Sequence, residues 1–433
     1  MLKKGFRRLI AAAVGCGLVA VPAIASALPA GAAPAVSAPV FGSAVAVAPP
    51  LGSAADQRTY LNTVSCAGNR ACVAGGSFSD SAGVSHGMVV TQSGAKWTGQ
   101  AKIPLPANAS AQYPASEVVS LTCQKAGHCV AVGDYFTAGA VLPLVVTQAN
   151  GKWGGALSPA LPAGASARPQ QAMLTAVGCT AAGYCQAVGT YRDARGHIQP
   201  MTVARATSGR WGRGIRLPVP PGAVTSPGPR VSGVACTAPS TCAAAGWYYT
   251  AATAGATAPL GLVETKGKWT AVRIAIPAGA SDADLRAISC GGPGSCLAVG
   301  DLVAAGLPTG FGVPFRSGRF GRAALISATA PGVASPARGE LFAVSCLPAG
   351  SCVATGEAYA TSGQWAAVAI TGNGGNWRAA LVIPPPVAAP GVLLESLLTA
   401  VSCTGTLHCT AVGYYTVKNG ATVTYQAAAT STG

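Results

Sequence analysis

The chain has 433 residues, half of them hydrophobic and only 9% charged, with 28 basic against 12 acidic side chains and a formal net charge of +16. Basic residues are scattered, with no basic run and no basic-aromatic stripe, which argues against nucleic acid as a partner. An excess of positive charge favours anionic surroundings such as wall polymers, lipid head groups or acidic glycans, although charges this dilute read first as a solvated, mildly cationic surface.

At the N-terminus, Lys3, Lys4, Arg7 and Arg8 precede an apolar run from Leu9 to Ala25 and then small residues. This is the layout of a cleaved secretory signal over 1–27, with Ala25-Ser26-Ala27 as the cleavage site and an Ala/Pro-rich linker over 28–40. Two rival readings are a twin-arginine signal through Arg7-Arg8 and a lipid-attachment box at Ala13-Val14-Gly15-Cys16. Loss of the signal leaves a net charge of about +12, and no later stretch is long and apolar enough to span a bilayer. The mature chain is expected to be secreted or held at the cell envelope.

Seven cysteine pairs follow, each with five residues between its members: Cys66/Cys72, Cys123/Cys129, Cys179/Cys185, Cys236/Cys242, Cys290/Cys296, Cys346/Cys352 and Cys403/Cys409. Their first members lie 57, 56, 57, 54, 56 and 57 residues apart. A period of this length marks one supersecondary unit copied seven times. In an exported chain an even count at recurring spacing predicts disulfides within each pair. Zinc is the competing explanation, but five intervening residues are not a usual ligand spacing and no histidines recur beside the pairs.

Within each repeat a first strand ends at the first cysteine and carries two apolar residues three apart, as in Leu61/Val64, Leu285/Ile288 and Leu398/Val401. Five turn-forming residues lead to a second strand that starts at the second cysteine, such as Cys129-Val130-Ala131-Val132-Gly133. Its alternation puts large residues on one face and small ones on the other, both apolar, as a strand buried on two sides requires. A third strand (Val89-Val90-Thr91, Val145-Val146-Thr147) and a fourth opened by Trp97, Trp153, Trp211, Trp269, Phe320 or Trp377 complete the unit, these aromatics being structural. The last repeat has no fourth strand, and the chain start supplies one. Phe41 lies 25 residues before Cys66, against aromatic-to-cysteine distances of 26, 26, 25, 21, 26 and 26 elsewhere. The fold class is therefore all-β: a seven-bladed β-propeller over 41–433, four antiparallel strands per blade, closed by an N-terminal strand that completes the last blade.

The turn Thr371-Gly372-Asn373-Gly374-Gly375-Asn376-Trp377 resembles the Asp-box of sialidase-like propellers. The turns Thr147 to Trp153 and Thr207 to Trp211 keep its Gly and Trp without an aspartate. The resemblance, shared in looser form with WD40-like propellers, implies architecture over 41–433. It brings no catalytic residue, because Arg273 and Arg316 lack the proline-containing arginine motif and no Tyr/Glu nucleophile pair matches.

Five residues after each second cysteine, at the end where strands two and three join, the repeats present Ser77, Asp134, Thr190, Trp247, Asp301, Glu357 and Tyr414. Asp301 and Glu357, from neighbouring repeats, form a candidate carboxylate pair for acid/base work or cation binding, the plainer reading being two solvated strand-end acids. Tyr135, Tyr191, Trp247-Tyr248-Tyr249 and Tyr414-Tyr415 cluster near the same end as rings for stacking on sugars or anchoring a protein, or as packing between blades. Of four histidines, His128 and His408 read as turn residues and His86 and His197 stand alone in variable loops. No nucleophile elbow, phosphate loop, cofactor motif or metal-binding cluster is found. The second cysteine to the next aromatic spans 24 to 27 residues in each of the first six repeats, so no blade carries the long insertion that catalysts build sites from. These features point to a monomeric binding or scaffold module for a glycan, wall component or protein. An extracellular polysaccharide hydrolase or lyase using Asp301 and Glu357, or a purely structural envelope protein, are the alternatives.

Overall fold

The computed structural model describes residues 40–432 except 55–57, 168–169, 252–254, 374, 387–390 and 406–407. The expected signal, its cleavage site, Cys16 and the linker up to residue 39 lie outside the described residues, as does Gly374 of the Asp-box-like turn.

Each repeat folds into an antiparallel group whose spatial order follows the chain. Unit one is Thr59–Gly68, Ala71–Ser79, Ser85–Ser93 and Lys96–Lys102, and unit two Ser116–Lys125, His128–Phe136, Ala140–Ala149 and Lys152–Leu157. Unit three is Gln170–Cys179, Cys185–Arg192, Ile198–Arg205 and Ile215–Arg216, and unit four Arg230–Ala238, Thr241–Tyr249, Thr257–Thr265 and Lys268–Arg273. Unit five is Ala280–Gly292, Ser295–Ala304 and Leu307–Arg316 with two outer pieces, Arg319–Phe320 and Ala324–Leu325. Unit six is Gly339–Cys346, Cys352–Tyr359, Trp365–Gly372 and Leu381–Val382. Unit seven joins Val392–Gly405, His408–Asn419 and Thr422–Ser431 to Val45–Ala46 from the chain start. The first strands of consecutive units pack on one another all the way round, unit seven against unit one included, so the sheets stand as propeller blades about a common centre.

The closure expected from the aromatic spacing is present. Val45 and Ala46 pair with Ala429 and Ala428, Phe41 bridges to Thr432, and Val47 N donates to Ala427 O at 2.9 Å. A bond repeated round the ring also crosses the junction. The serine before the first cysteine accepts from the first-cysteine N–H of the next unit, at Ser65/Cys123 (2.9 Å), Ser289/Cys346, Ser345/Cys403 and, across the closure, Ser402/Cys66 (all 3.0 Å).

The expected cystines Cys66–Cys72, Cys123–Cys129, Cys179–Cys185, Cys236–Cys242, Cys290–Cys296, Cys346–Cys352 and Cys403–Cys409 are all bonded, with Cα atoms 3.9 to 4.1 Å apart, so the zinc reading is set aside. Each joins residues directly opposite one another across strands one and two. The first cysteines are half-buried, whereas the second ones, Cys72, Cys129, Cys185, Cys242, Cys296, Cys352 and Cys409, are buried against the neighbouring blade.

The strand ends need one correction. Strands one and two stop at the cysteines only in units three and six. In unit four the first strand runs past Cys236 to Ala238 and the second begins at Thr241, before Cys242, so that Ala238 faces Thr241 beyond the cystine. Cys242 is thus an interior strand residue and not the first of its strand. Units one, two, five and seven likewise extend past their cystines. The physical reason is the turn: Asn69-Arg70, Ala126-Gly127, Pro239-Ser240 and Pro293-Gly294 reverse the chain in two residues, the second at a φ of +53°, +75°, +54° and +66°. A reversal this tight leaves the residues on either side free to pair.

Strand two is the buried middle layer. Val130 and Val132 face unit three, while Ala131 faces unit one, so the large side of one blade interdigitates with the small side of the next. The repeated Trp and Phe320 lie against these inter-unit cores.

In every unit the first strand carries a β-bulge whose extra residue is Asn62, Val119, Thr175, Ser232, Arg286, Phe342 or Thr399. The bulge brings a first-strand carbonyl against the glycine four residues after the second cysteine. A Cβ there would lie 1.9 to 2.1 Å from that oxygen at Gly76, Gly133, Gly189, Gly246, Gly300, Gly356 and Gly413 alike. The glycine is demanded by proximity, and it fixes the height of the residue that follows it. Among the described residues no helix is long and apolar enough to cross a membrane.

Candidate functional site

The residue after that glycine faces a first-strand partner six residues before the first cysteine. Together they form a rank of cross-strand pairs at the end of the ring away from the cystines: Tyr60/Ser77, Glu117/Asp134, Met173/Thr190, Arg230/Trp247, Asp284/Asp301, Glu340/Glu357 and Leu397/Tyr414. Glu395 joins them two residues before Leu397. Seven of the chain's 12 acidic residues therefore stand at one end of a net-cationic molecule: Glu117, Asp134, Asp284, Asp301, Glu340, Glu357 and Glu395.

Asp301 and Glu357 stand in one electrostatic cluster that is larger than a pair. Arg286, the bulge residue of unit five, donates from Nε to Asp301 Oδ1 at 2.8 Å and lies 3.8 Å from Asp284. Among the described residues, no cation is in contact with Glu357. Burial first, then the charges of Glu340, Glu395 and Asp301, push its carboxyl up to about 8. Burial likewise raises Glu340, with Asp301 and Asp284 adding to the shift and Arg286 opposing it. In unit two, burial and the facing Glu117 push Asp134 up to about 7, while Asn62 Nδ2 of unit one holds Glu117 Oε1 at 2.7 Å. At neutral pH Asp134 and Glu357 are partly protonated, each able to donate as well as accept.

The aromatics divide by strand parity. Trp247 and Tyr414 belong to the rank and are half-buried. Tyr414 packs on Tyr60 and Tyr425 at centroid distances of 5.0 and 6.2 Å. Burial and then the Glu395 and Glu357 charges push its hydroxyl up to about 12. Trp247 meets Tyr249 edge-on at 5.3 Å, beneath Arg230 at 5.9 Å. Tyr135, Tyr191, Tyr248 and Tyr415 are instead fully buried, which corrects the expectation of exposed stacking rings at these positions. They lie one residue further on, hence on the opposite face of the strand, packed against the preceding unit. Thr190 is buried as well.

The first-strand half of the rank, Glu117, Asp284, Glu340 and Tyr60, was not anticipated, nor were Arg286, Glu395 and Tyr425. The constant offset of six residues before the first cysteine is the signal that identifies the first-strand members. The two lone histidines have partners: His86 Nε2 lies 2.7 Å from Asp80 Oδ2, a hydrogen bond that holds this carboxyl below its usual range, and His197 Nδ1 lies 3.9 Å from Asp193. Among the described residues, no group of three or more His, Cys, Asp or Glu side chains is placed to hold a metal ion.

No family model and no curated protein matches the chain. Solved structures similar to it include the Hadza microbial sialidase Hz136, 10% identical over 79% of this chain and 73% of that one at a TM-score of 0.45. Others are a protein of unknown function from Dyadobacter fermentans, 13% identical over 90% and 98% at 0.45, and the Penicillium chrysogenum α-L-arabinanase complexed with arabinobiose, 9% identical over 90% and 98% at 0.43. Likeness of this degree says nothing about activity, and the propeller assignment rests on the strand pairing described above.

Proposed function

We propose that the chain is an exported, cystine-clipped binding module that takes a glycan at the end of the ring away from the cystines. The observation that carries this reading is the concentration of seven carboxylates at that end of a net-cationic chain, beside the Tyr60, Tyr414 and Tyr425 rings. Carboxyls that both donate and accept suit vicinal hydroxyls, and half-buried rings suit the apolar face of a sugar. Wall polysaccharides and a glycan array offered to the mature protein test it. The double change Asp301→Asn with Glu357→Gln, or Tyr414→Ala alone, is expected to weaken binding at least about tenfold, the equivalent of about 1.4 kcal/mol. Retention by no glycan or wall fraction sinks the reading and leaves a structural envelope protein.

One observation favours hydrolysis as a second reading. Glu357 keeps its proton up to about 8, as a general acid must. Against it, Asp301 is engaged by Arg286 Nε at 2.8 Å and Nη2 at 3.4 Å, one contact to each oxygen, which leaves it poorly free to act as base or nucleophile. Polysaccharide turnover abolished by Glu357→Gln, with binding retained, would replace the first reading by the second.

A further inference from the structure

At three junctions between units, the identity of the third-strand residue opposite the second cysteine decides how the junction is filled. At the unit three–four junction it is Glu264, met by Gln186 Nε2 at 3.0 Å and the Tyr184 hydroxyl at 3.5 Å. At four–five it is Phe315, which packs with Ala243 and Val263 and leaves a cavity of only about 90 Å³, walled in part by the buried Cys242. At two–three it is Arg205, and the position corresponding to Gln186 is Val130, which offers no acceptor. Arg205 spends Nη1 on the carbonyl of Gly183 in its own unit at 3.0 Å, and its buried Nε has no partner.

The space left at this junction is a cavity of about 330 Å³, at the small end of the range for ligand sites. Arg205, Lys125 and His128 line it with Gln124 and Thr147, and no carboxylate does. Three basic side chains converging on a concave site without an acid make an anion trap, and a guanidinium presents its N–H groups in the geometry that oxyanions take two at a time.

We propose that the cavity between units two and three binds a compact oxyanion, a carboxylate or phosphate on a scaffold no larger than one sugar. The site is independent of the carboxylate rank, which lies at the other end of the ring and repels such a ligand.

The test is calorimetric titration of the mature protein with galacturonate, glucose 6-phosphate, inorganic phosphate and neutral galactose. Oxyanions are expected to bind in a way that depends on Arg205 and galactose is not, the galacturonate and phosphate arms reporting which oxyanion is preferred. Arg205→Gln is expected to weaken oxyanion binding at least about tenfold, and Arg205→Lys less, since the charge stays while the fork is lost. Should Arg205→Gln fail to fold, Ala182→Asp in the exposed turn at the rim decides instead, because a carboxylate placed there competes for the same cations. Arg319→Gln, which removes a positive charge in unit five outside both this cavity and the rank, is expected to leave this binding unchanged. Galactose binding that matches galacturonate and falls equally with Arg205→Gln, an Arg205→Gln or Ala182→Asp protein that keeps wild-type oxyanion affinity, or no oxyanion bound at about 10 mM ligand, where even a weak specific site would be partly filled, overturns the proposal.

Discussion

Units two and five carry the same side chain at the same place, five residues after the second cysteine, and give it opposite surroundings. Asp134 faces Glu117, has no cation in contact among the described residues, and keeps its proton up to about 7. Asp301 faces Asp284 but is held by Arg286 at 2.8 Å. The difference traces to one position, the bulge residue of the first strand, which is Val119 in unit two and Arg286 in unit five. A repeated scaffold thus sets where a carboxyl sits, and a single unpaired strand residue sets what it is paired with.

The largest expected effect comes from breaking the geometry common to both units. Gly133→Ala or Gly300→Ala drives a methyl to 2.0 or 1.9 Å from the carbonyl oxygen of Glu117 or Asp284, and backbone, not a flexible side chain, must move. A loss of about 3 kcal/mol or more is expected in denaturant unfolding, with the acid that follows displaced. A glycine change costing under about 1 kcal/mol would mean that the bulge does not hold the rank in place.

Next in size is the clip at the other end of the same hairpin. Replacing Cys290 and Cys296 together by alanine opens a short loop, and the chain-entropy model assigns about 2–2.5 kcal/mol to it. Because the cystine lies six residues from Asp284 and five from Asp301, the stability loss should come without a change in ligand binding at the rank. Coincident loss of both would show that the clip, and not the glycine seat, sets the site.

The repeat, its four strands and the borrowed outer strand were legible because cysteines and aromatics recur at near-constant intervals, and constant intervals demand one geometry. The strand-two half of the rank was legible for the same reason. The bulge was written too: Leu285 and Ile288 lie three apart yet are both buried, which a regular period of two forbids unless one residue is extra. That clue marks Arg286 and its six counterparts. The burial of Tyr135, Tyr191, Tyr248 and Tyr415 follows from strand parity once the rank is placed, as they lie one residue past it. Strand ends were less legible than strand positions: five small or polar residues between Cys236 and Cys242 read as one loop, while a reversal at Pro239-Ser240 needs only two of them. The unit two–three cavity was not legible, because it arises from Arg205 and Val130 on different blades, which no interval in the chain connects.

A smaller effect sharpens the contrast in protonation. Asp134 and Glu357 hold their protons up to about 7 and 8 when folded, whereas an unfolded carboxyl titrates near about 4. Between those limits the folded state binds more protons than the unfolded state. Stability from these groups is therefore complete below about pH 4 and declines as pH rises through 7 and 8. On the order of 1–2 kcal/mol should be gained between pH 8.5 and 5.5, allowing for partial exposure. Asp134→Asn should remove part of that slope. A slope unchanged by Asp134→Asn would put the titration elsewhere.

The smallest expected effect probes what units two and five share with all the others. Ser65→Ala and Ser402→Ala each delete one hydrogen bond to a first-cysteine N–H, at 2.9 and 3.0 Å, and each should cost about 1 kcal/mol if a bond is only a bond. They differ in where the bond lies. Ser65 joins units whose strands are all linked by continuous chain, while Ser402 joins unit one to unit seven, whose outer strand Val45–Ala46 is held to the rest of its unit by pairing alone. A change at the tethered junction should leave unfolding cooperative. At the closure it should also raise hydrogen exchange in Val45–Ala46 and its partner Thr422–Ser431, because opening there exposes two sheet edges at once. Equal exchange in the two variants would show that the closing strand, and not the serine ring, carries the seal.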